Sequence, residues 1–214
     1  MYFKLKLDRP MIVIIDYGVG NLGSLLNMCK HIGVSACVSK NESDVLDASH
    51  IILPGVGSFD PGMMKLTNSV FLSPLTESVI VRKTPVLGIC LGMQMMTNGS
   101  EEGRVNGLGW IDAKATLIPK SYNVKVPHMG WNRPTVSAKS ALLDFEDRLA
   151  RYYFLHSYGV VCSDRNDSVA HINYGSKYDA AIQKGNIYGV QFHPEKSHDY
   201  GMGLLRKFSA LESG

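Results

Sequence analysis

One cysteine of the sequence stands in a setting that favours nucleophilic chemistry. The segment Gly88-Ile89-Cys90-Leu91-Gly92 lies between a short apolar run and a segment with helical spacing. A G-x-C-x-G segment at such a junction is the thiol version of the strand–turn–helix elbow, whose glycines prevent collisions around a strained nucleophile. The start of the helix places partial positive charge beside the sulfur and favours a thiolate. We predict that Cys90 is a nucleophile; the alternative is a buried structural thiol.

A thiol nucleophile needs a base, and a candidate follows a later apolar run. His193 ends that run, Pro194 fixes the turn after it, and Glu195 can reach back to orient the imidazole. The carboxyl ends of strands in a parallel α/β sheet share one edge, so His193 can meet Cys90 there. We therefore predict a catalytic triad of Cys90, His193 and Glu195.

The elements that must position these residues follow from the spacing of apolar side chains. In the first half, β-branched runs alternate with helical periodicity, which indicates parallel strands covered on both faces. The predicted strands there are 11–16, 34–39, 51–53 and 86–89, and the predicted helices are 22–32, 72–82 and 91–97. The second half has strand candidates at 110–118, 152–155, 159–162, 169–174, 180–183 and 187–192, a hairpin loop at 184–186, and a last helix at about 200–211.

This pattern predicts one α/β domain. Its architecture is three-layer α/β/α, with a largely parallel central sheet plus an antiparallel extension. Residues 1–10 precede the first strand and are treated as an N-terminal extension, which leaves 11–214 as the domain.

Composition and charge exclude several classes of function. The chain has 214 residues, of which 45% are hydrophobic and 19% charged, as in ordinary globular proteins. The net charge is +3 and no basic run exceeds Arg82-Lys83, which argues against a nucleic-acid or membrane surface. No apolar run approaches the roughly 20 residues of a membrane span. The four cysteines lack metal-type spacing, so we expect free thiols, a cytoplasmic location, and neither metal nor cofactor.

Two other kinds of enzyme share part of this pattern. Gly18 to Gly23 reads G-x-G-x-x-G after the first strand, with Glu42 about twenty residues further on, which is the form of a dinucleotide-binding fingerprint. The motif is weak alone, and the second half does not repeat the βαβαβ unit, so an NAD-binding oxidoreductase is a minor alternative. A cysteine protease or hydrolase would share Cys90 and His193 but has no need of Gln94.

Together these motifs resemble the class I (triad) glutamine amidotransferases. That family carries a G-x-C-x-G-x-Q elbow, here Gly88 to Gln94, and an H-P-E segment, here His193 to Glu195. The resemblance implies the flavodoxin-like class I glutaminase fold and hydrolysis of L-glutamine. Four further segments look like the branch of the family that supplies ammonia to imidazole glycerol phosphate synthase: 16–21, 54–57, 127–132 and 156–158.

The resemblance also implies roles for residues around the triad. The oxyanion would be bound by backbone N–H groups of Leu91 and of the segment Gly55, Val56 and Gly57, whose glycines make a peptide flip inexpensive. The amino-acid end of glutamine would be held by five residues: Gln94, Glu102, His156, Ser157 and Tyr158. Three residues resemble the family's contacts with a (βα)8-barrel cyclase in a heterodimer: Asn21, Trp131 and Lys196. Trp131 as a core aromatic and Lys196 as a plain surface charge are the alternatives.

The acceptor of the ammonia stays open at the level of sequence. Residues 97–102 and 188–198 look somewhat closer to a paralogous glutaminase that serves acetamidino-sugar formation in surface-polysaccharide pathways. No single residue decides between that pathway and histidine biosynthesis, because the glutaminase does not touch the acceptor.

Overall fold

The computed structural model describes residues 11–121, 123–137, 139–144, 147 and 149–212. The predicted extension at residues 1–10 lies outside the described residues. The strands are β1 Ile12–Ile15, β2 Ala36–Ser39, β3 His50–Leu53, β4 Val86–Ile89, β5 Ala113–Leu117, β6 His128–Asn132, β7 Thr135–Val136, β8 Tyr152–His156, β9 Tyr158–Cys162, β10 Ser168–Tyr174, β11 Ser176–Lys184 and β12 Ile187–Val190. The helices are α1 Leu22–His31, α2 Glu42–Leu46, α3 Phe59–Thr67, α4 Leu72–Thr76, α5 Leu91–Met95 and α6 His198–Ser209. A π-helical turn at Glu77–Val81 prolongs α4, and a 3₁₀ turn at Pro194–Lys196 precedes α6.

The central sheet has the strand order β2-β1-β3-β4-β12-β11-β10-β7. Strands β1 to β4 and β12 run parallel, whereas β11, β10 and β7 continue the sheet antiparallel. The order 2-1-3-4 is the flavodoxin-like arrangement of a doubly wound sheet. The fold class predicted from the sequence is confirmed.

The core lies on both faces of this sheet because successive side chains of a strand point to opposite sides. In β1, Ile12 and Ile14 join a cluster with α1 and α6, while Val13 and Ile15 join a second cluster with α3 and α5. All four side chains are buried, which accounts for the continuous apolar run in the sequence. Two helical layers therefore hold the sheet rigidly from both sides.

A separate two-stranded ribbon, formed by β6 and β8, supplies one wall of the site. Its strands pair antiparallel, with His128 opposite His156 and Asn132 opposite Tyr152. Phe154 of the ribbon is fully buried in the cluster that contains α1 and α6. The ribbon is thereby fixed to the same face of the sheet.

The sequence pattern missed several elements and placed most of the others within a few residues. The strand predicted at 110–118 is shorter, Ala113–Leu117, and the last helix begins at His198. The short helix α2, the helix α3, and the strands β6 and β7 were not predicted. The hairpin loop is confirmed, since Lys184 pairs with Ile187 and Gly185 has φ 57°. No helix in the described part of the chain is long and apolar enough to cross a membrane.

Candidate active site

Cys90 lies on the elbow between β4 and α5 in a backbone conformation that non-glycine residues rarely adopt. Its φ is 54° and its ψ is −107°. A Cβ on Gly92 would lie 2.0 Å from the Leu53 carbonyl oxygen, and one on Gly88 would lie 2.8 Å from backbone atoms of Gly92. Only glycine fits these two positions, because strand β3 and the first turn of α5 pass so close. A strained residue of this kind costs on the order of 1–3 kcal/mol and persists because the surrounding packing fixes it.

Strand β12 brings His193 to the edge where Cys90 lies. β12 pairs in parallel with β4, Val190 opposite Ile89, and the Cys90 N–H donates to the Val190 carbonyl at 2.8 Å. The His193 N–H donates to the Tyr153 carbonyl at 2.9 Å. The backbone of His193 is therefore anchored to the ribbon as well as to the central sheet.

The His193 ring is paired with Glu195 out of contact with solvent. Its Nδ1 donates to Oε1 of Glu195 at 2.8 Å, and each side chain is only 3% exposed. Burial acts to lower the pKa of His193, but hydrogen bonds to the Cys90 sulfur and the Glu195 carboxylate, with their negative charges, raise it to about 10. The ring is consequently an imidazolium at neutral pH. The other oxygen of Glu195, Oε2, is buried without a hydrogen-bond partner among the described residues.

Gln191 is a site residue that the sequence reasoning missed. It is fully buried, its Nε2 lies 3.7 Å from the Cys90 sulfur, and its Oε1 accepts from Gln94 Nε2 at 3.1 Å. A glutamine between the apolar residues Val190 and Phe192 is the signal that could have identified it. Sγ of Cys90 also approaches the Leu155 carbonyl, at 3.8 Å.

A cleft of roughly 260 Å³ opens beside the sulfur. Of the residues named from the sequence, it is lined by the predicted triad residues Cys90 and His193, the predicted oxyanion residues Val56, Gly57 and Leu91, and all five predicted substrate contacts. Lys196 also lines the cleft. The structure thus brings together residues that are far apart in sequence, although their individual roles stay predictions.

Two of the predicted substrate contacts are already engaged with the protein. Gln94 donates from Nε2 to the Tyr158 carbonyl at 3.0 Å, and it is 5% exposed. A carboxylate oxygen of Glu102 accepts the Phe59 N–H at the start of α3, at 2.8 Å. These contacts support a role in shaping the cleft.

Gly55 lies against the elbow helix. A Cβ there would lie 2.4 Å from the Gly92 nitrogen, so no larger residue fits without moving α5 or the segment itself. Next to it, Val56 is 45% exposed, and Gly57 has φ 95°. Gly55 is closely packed, whereas Val56 and Gly57 directly after it are open to solvent. The Val56 peptide therefore has room to change orientation.

A group of aromatic and basic side chains on the surface includes Lys196, which lines the cleft. Trp131 is 43% exposed, and its ring stacks on His198 with centroids 5.5 Å apart. Arg151 lies 5.5 Å over the Trp131 ring, and Lys196 lies 5.6 Å over the ring of Tyr153. Trp131 is therefore not a core aromatic, and we call these five residues the aromatic patch.

The glycine-rich loop after β1 makes its close contact with protein. A Cβ on Gly20 would lie 2.8 Å from the Pro54 side chain, and the Tyr17 hydroxyl donates to the Pro54 carbonyl at 2.5 Å. Lys65 donates to the Gly18 carbonyl at 3.0 Å, and Asn21 is exposed at the start of α1. Gly20 is thus packed on the segment that leads to Gly55, which accounts for this glycine without a nucleotide. The described residues contain no cluster of His, Cys, Asp and Glu that could hold a metal ion.

Comparison with known proteins agrees with this geometry. The model of the family described as "Glutamine amidotransferase class-I" matches residues 13–210. The "Imidazole glycerol phosphate synthase subunit HisH 2" of Methanococcus maripaludis is 48% identical over 92% of this chain and 98% of its own length. The protein of the same description from Pseudomonas aeruginosa is 46% identical over 94% and 100%. In fold, the chain is similar to a glutamine amidotransferase from Thermotoga maritima, with a TM-score of 0.63, 20% identity, and coverage of 92% and 95%.

Proposed function

The chain belongs to the class-I glutamine amidotransferase family, and on that premise we propose that it hydrolyses L-glutamine to glutamate and ammonia with a Cys90–His193–Glu195 triad. The observation that carries the proposal is the strained Cys90 on a glycine elbow, facing a buried imidazolium that Glu195 holds. A protease on a related fold would not need the buried Gln94–Gln191 amide pair beside the sulfur.

The raised pKa of His193 bears on the order of the proton transfers. The raised pKa favours a proton on His193, from where it can pass to the leaving nitrogen, and the Cys90 sulfur attacks the side-chain carboxamide. His193 then gives its proton to the leaving nitrogen, and the C–N bond breaks as the glutamyl thioester remains on Cys90. Neutral His193 next takes a proton from water, which attacks the thioester and releases glutamate.

The oxyanion formed in each attack would be bound by the Leu91 N–H and by an N–H of the segment Gly55 to Gly57. One such donor is worth about 3–4 kcal/mol of barrier. We propose that a bound partner favours the productive orientation of the Val56 peptide, which the open space around it permits. A shift from about 1:99 to 99:1 would require roughly 5.5 kcal/mol of differential binding.

The ammonia would pass to a synthase partner. Curated relatives at 46% and 48% identity are named subunits of imidazole glycerol phosphate synthase, which supports a (βα)8-barrel cyclase in histidine biosynthesis as that partner, in a cytoplasmic heterodimer. The aromatic patch, in which Trp131 is exposed and Lys196 lines the cleft, is the surface that we assign to the interface, and Asn21 is a third predicted contact. The paralogous acetamidino-sugar pathway is the alternative acceptor, and capture of the synthase partner from its own cell extract separates the two.

Covalent labelling tests the glutaminase proposal. A glutamine-directed diazoketone should add one equivalent to the chain, and peptide mass spectrometry should place it on Cys90. The internal control is the other three thiols, Cys29, Cys37 and Cys162, whose pKa values burial raises. L-glutamine should protect the thiol, whereas NAD and peptide substrates should not. Labelling that L-glutamine does not slow, or that falls on another cysteine, would overturn the proposal.

A further inference from the structure

Two buried histidine rings form a T-shaped pair at the cleft, which one of them, His156, lines. His128 of β6 is 3% exposed and His156 of β8 is 6% exposed, and Nδ1 of the first lies 3.0 Å from Nε2 of the second. Two imidazole nitrogens at that distance bond only when one carries a proton and the other does not. The tautomers of the two rings are therefore coupled.

The direction of this hydrogen bond is fixed from both ends. Oδ1 of Asn132 accepts the Arg133 N–H at 2.8 Å, so its Nδ2 is the atom that faces Nε2 of His128 at 3.3 Å. Nε2 of His128 must then accept, and Nδ1 carries the proton donated to His156. At the far end, Nδ1 of His156 lies 2.9 Å from the Tyr158 carbonyl, which can only accept. Both ends demand the same tautomer in both rings, with the proton on Nδ1.

The environment keeps both rings neutral. His128 is sandwiched between the rings of Phe154 and Tyr174, with centroids 4.9 Å and 3.9 Å away. Burial lowers the pKa of His128 to about 4 and that of His156 to about 3, and the positive charge of His193 also disfavours protonation of His156. A second proton on either ring would place a donor against a donor in the chain of hydrogen bonds.

This line of hydrogen bonds ends on the Tyr158 carbonyl, at the wall of the substrate cleft. The Tyr158 oxygen accepts from His156 and also from Gln94 Nε2 at 3.0 Å, so both of its lone pairs are occupied. At the other end, Asn132 is the neighbour of Trp131, whose side chain points to the exposed face of the same ribbon. One ribbon thus carries an exposed aromatic on its outer face and a buried line of hydrogen bonds on its inner face.

We propose that Asn132 and His128 are positioning residues for glutamine binding, which fix one tautomer of His156 and so hold the Tyr158 carbonyl at the wall of the cleft. The proposal rests on the proposed function, because it takes L-glutamine as the occupant of that cleft. Neither residue touches the substrate. They act on the affinity for L-glutamine and do not take part in the reaction at Cys90.

Nitrogen NMR of the histidine rings tests the tautomers in the whole chain, independently of any activity. His128 and His156 should both be neutral at pH 7 and protonated at Nδ1 only. A proton on Nε2 of His156, or averaging between its two tautomers, would overturn the proposal. This measurement remains decisive even if the glutaminase proposal fails.

The functional half is tested by the concentration dependence of diazoketone labelling at Cys90. His128→Phe fills the space between the two aromatic rings but removes the donor, and it should raise the half-saturating concentration about tenfold. Its limiting rate should stay within about threefold of the parent rate. The matched variant His128→Asn keeps an N–H near the Nδ1 position and should restore the half-saturating concentration to within about threefold.

The two variants separate positioning from mere packing. Equal losses of affinity in His128→Phe and His128→Asn would contradict the proposal, and so would a fall in limiting rate at unchanged affinity. Thermal unfolding of both variants is measured alongside, so that a folding defect is recognised. A parent chain that is not labelled at all would count against the glutaminase proposal, while the ring tautomers would still decide this one.

Discussion

Acidification from pH 7 to pH 5 will destabilise the fold through His128 and His156. Burial lowers the pKa of both rings, to about 4 and about 3, whereas an unfolded histidine titrates near 6.5. Between those values the unfolded chain binds protons that the folded chain does not, so the free energy of unfolding falls as the pH falls. His193 offsets part of this loss, because its pKa is raised to about 10 and the folded chain at pH 7 holds a proton that most unfolded chains lack, a difference that disappears as the pH falls below 6.5.

The size of the effect follows from the same linkage. Protonation stabilises an unfolded histidine by about 0.2 kcal/mol at pH 7 and by about 2 kcal/mol at pH 5. Each folded ring stays essentially neutral over this range, so each lowers the free energy of unfolding by about 1.8 kcal/mol between pH 7 and pH 5. The pair together removes about 3–4 kcal/mol, a large part of the 5–15 kcal/mol that is typical of a domain.

Urea unfolding at a series of pH values measures this loss, with His128→Phe as the control. Burial also lowers the pKa values of His50 and His171, which add to the slope of the parent protein. The difference in the free energy of unfolding between the parent and His128→Phe isolates His128. From pH 7 to pH 5 the parent should lose about 2 kcal/mol more than the variant. Parallel stability curves for the two proteins would refute the claim that this ring is held neutral.

Three further predictions concern the elbow and the triad. In urea unfolding, the free energy of unfolding of Cys90→Gly should exceed that of Cys90→Ala by up to about 2 kcal/mol, because glycine adopts the positive φ without strain. The opposite order would contradict the claim that Cys90 is strained. Glu195→Gln keeps an acceptor near His193 but loses the charge, so the pKa of His193 should fall by roughly 1–3 units in an NMR titration, and an unchanged pKa would count against the pairing. Gly55→Ala places a methyl group against Gly92 and should slow glutamine hydrolysis by at least about 10²-fold, and full activity would show that the segment need not pack there.

The elbow and the proximity of Cys90, His193 and Glu195 could be predicted because the backbone imposes local rules there. Only glycine fits at positions 88 and 92, two residues to either side of Cys90. The parallel sheet places the end of β12 next to the end of β4, independently of the loops around them. Helix α3 was missed for a physical reason as well. Pro61 and Gly62 are residues that usually end a helix, but both lie in the first turn of α3. Proline is tolerated there because the first N–H groups of a helix have no partner within it. Gly62 packs closely on Leu91.

Contacts that depend on register could not be predicted from the sequence. His128 meets His156 only because β6 and β8 pair in one antiparallel register, and a shift of one residue would turn both rings to the other face. The exposure of Trp131 follows from the same alternation, so its interpretation as a surface or a core aromatic needed the structure. Gln191 directly follows β12, and its partner Gln94 comes from α5, a contact that the sequence does not show.

The most direct test of the central claim separates ammonia production from ammonia use. The chain carrying Cys90→Ala is reconstituted with its synthase partner, and synthesis is measured with L-glutamine and then with an ammonium salt. We predict that glutamine-dependent synthesis falls at least about 10³-fold, while ammonium-dependent synthesis stays within about twofold of the parent complex. Retention of the glutamine-dependent reaction, or loss of both reactions in a complex that still assembles, would contradict the role of Cys90 as the nucleophile of a glutaminase.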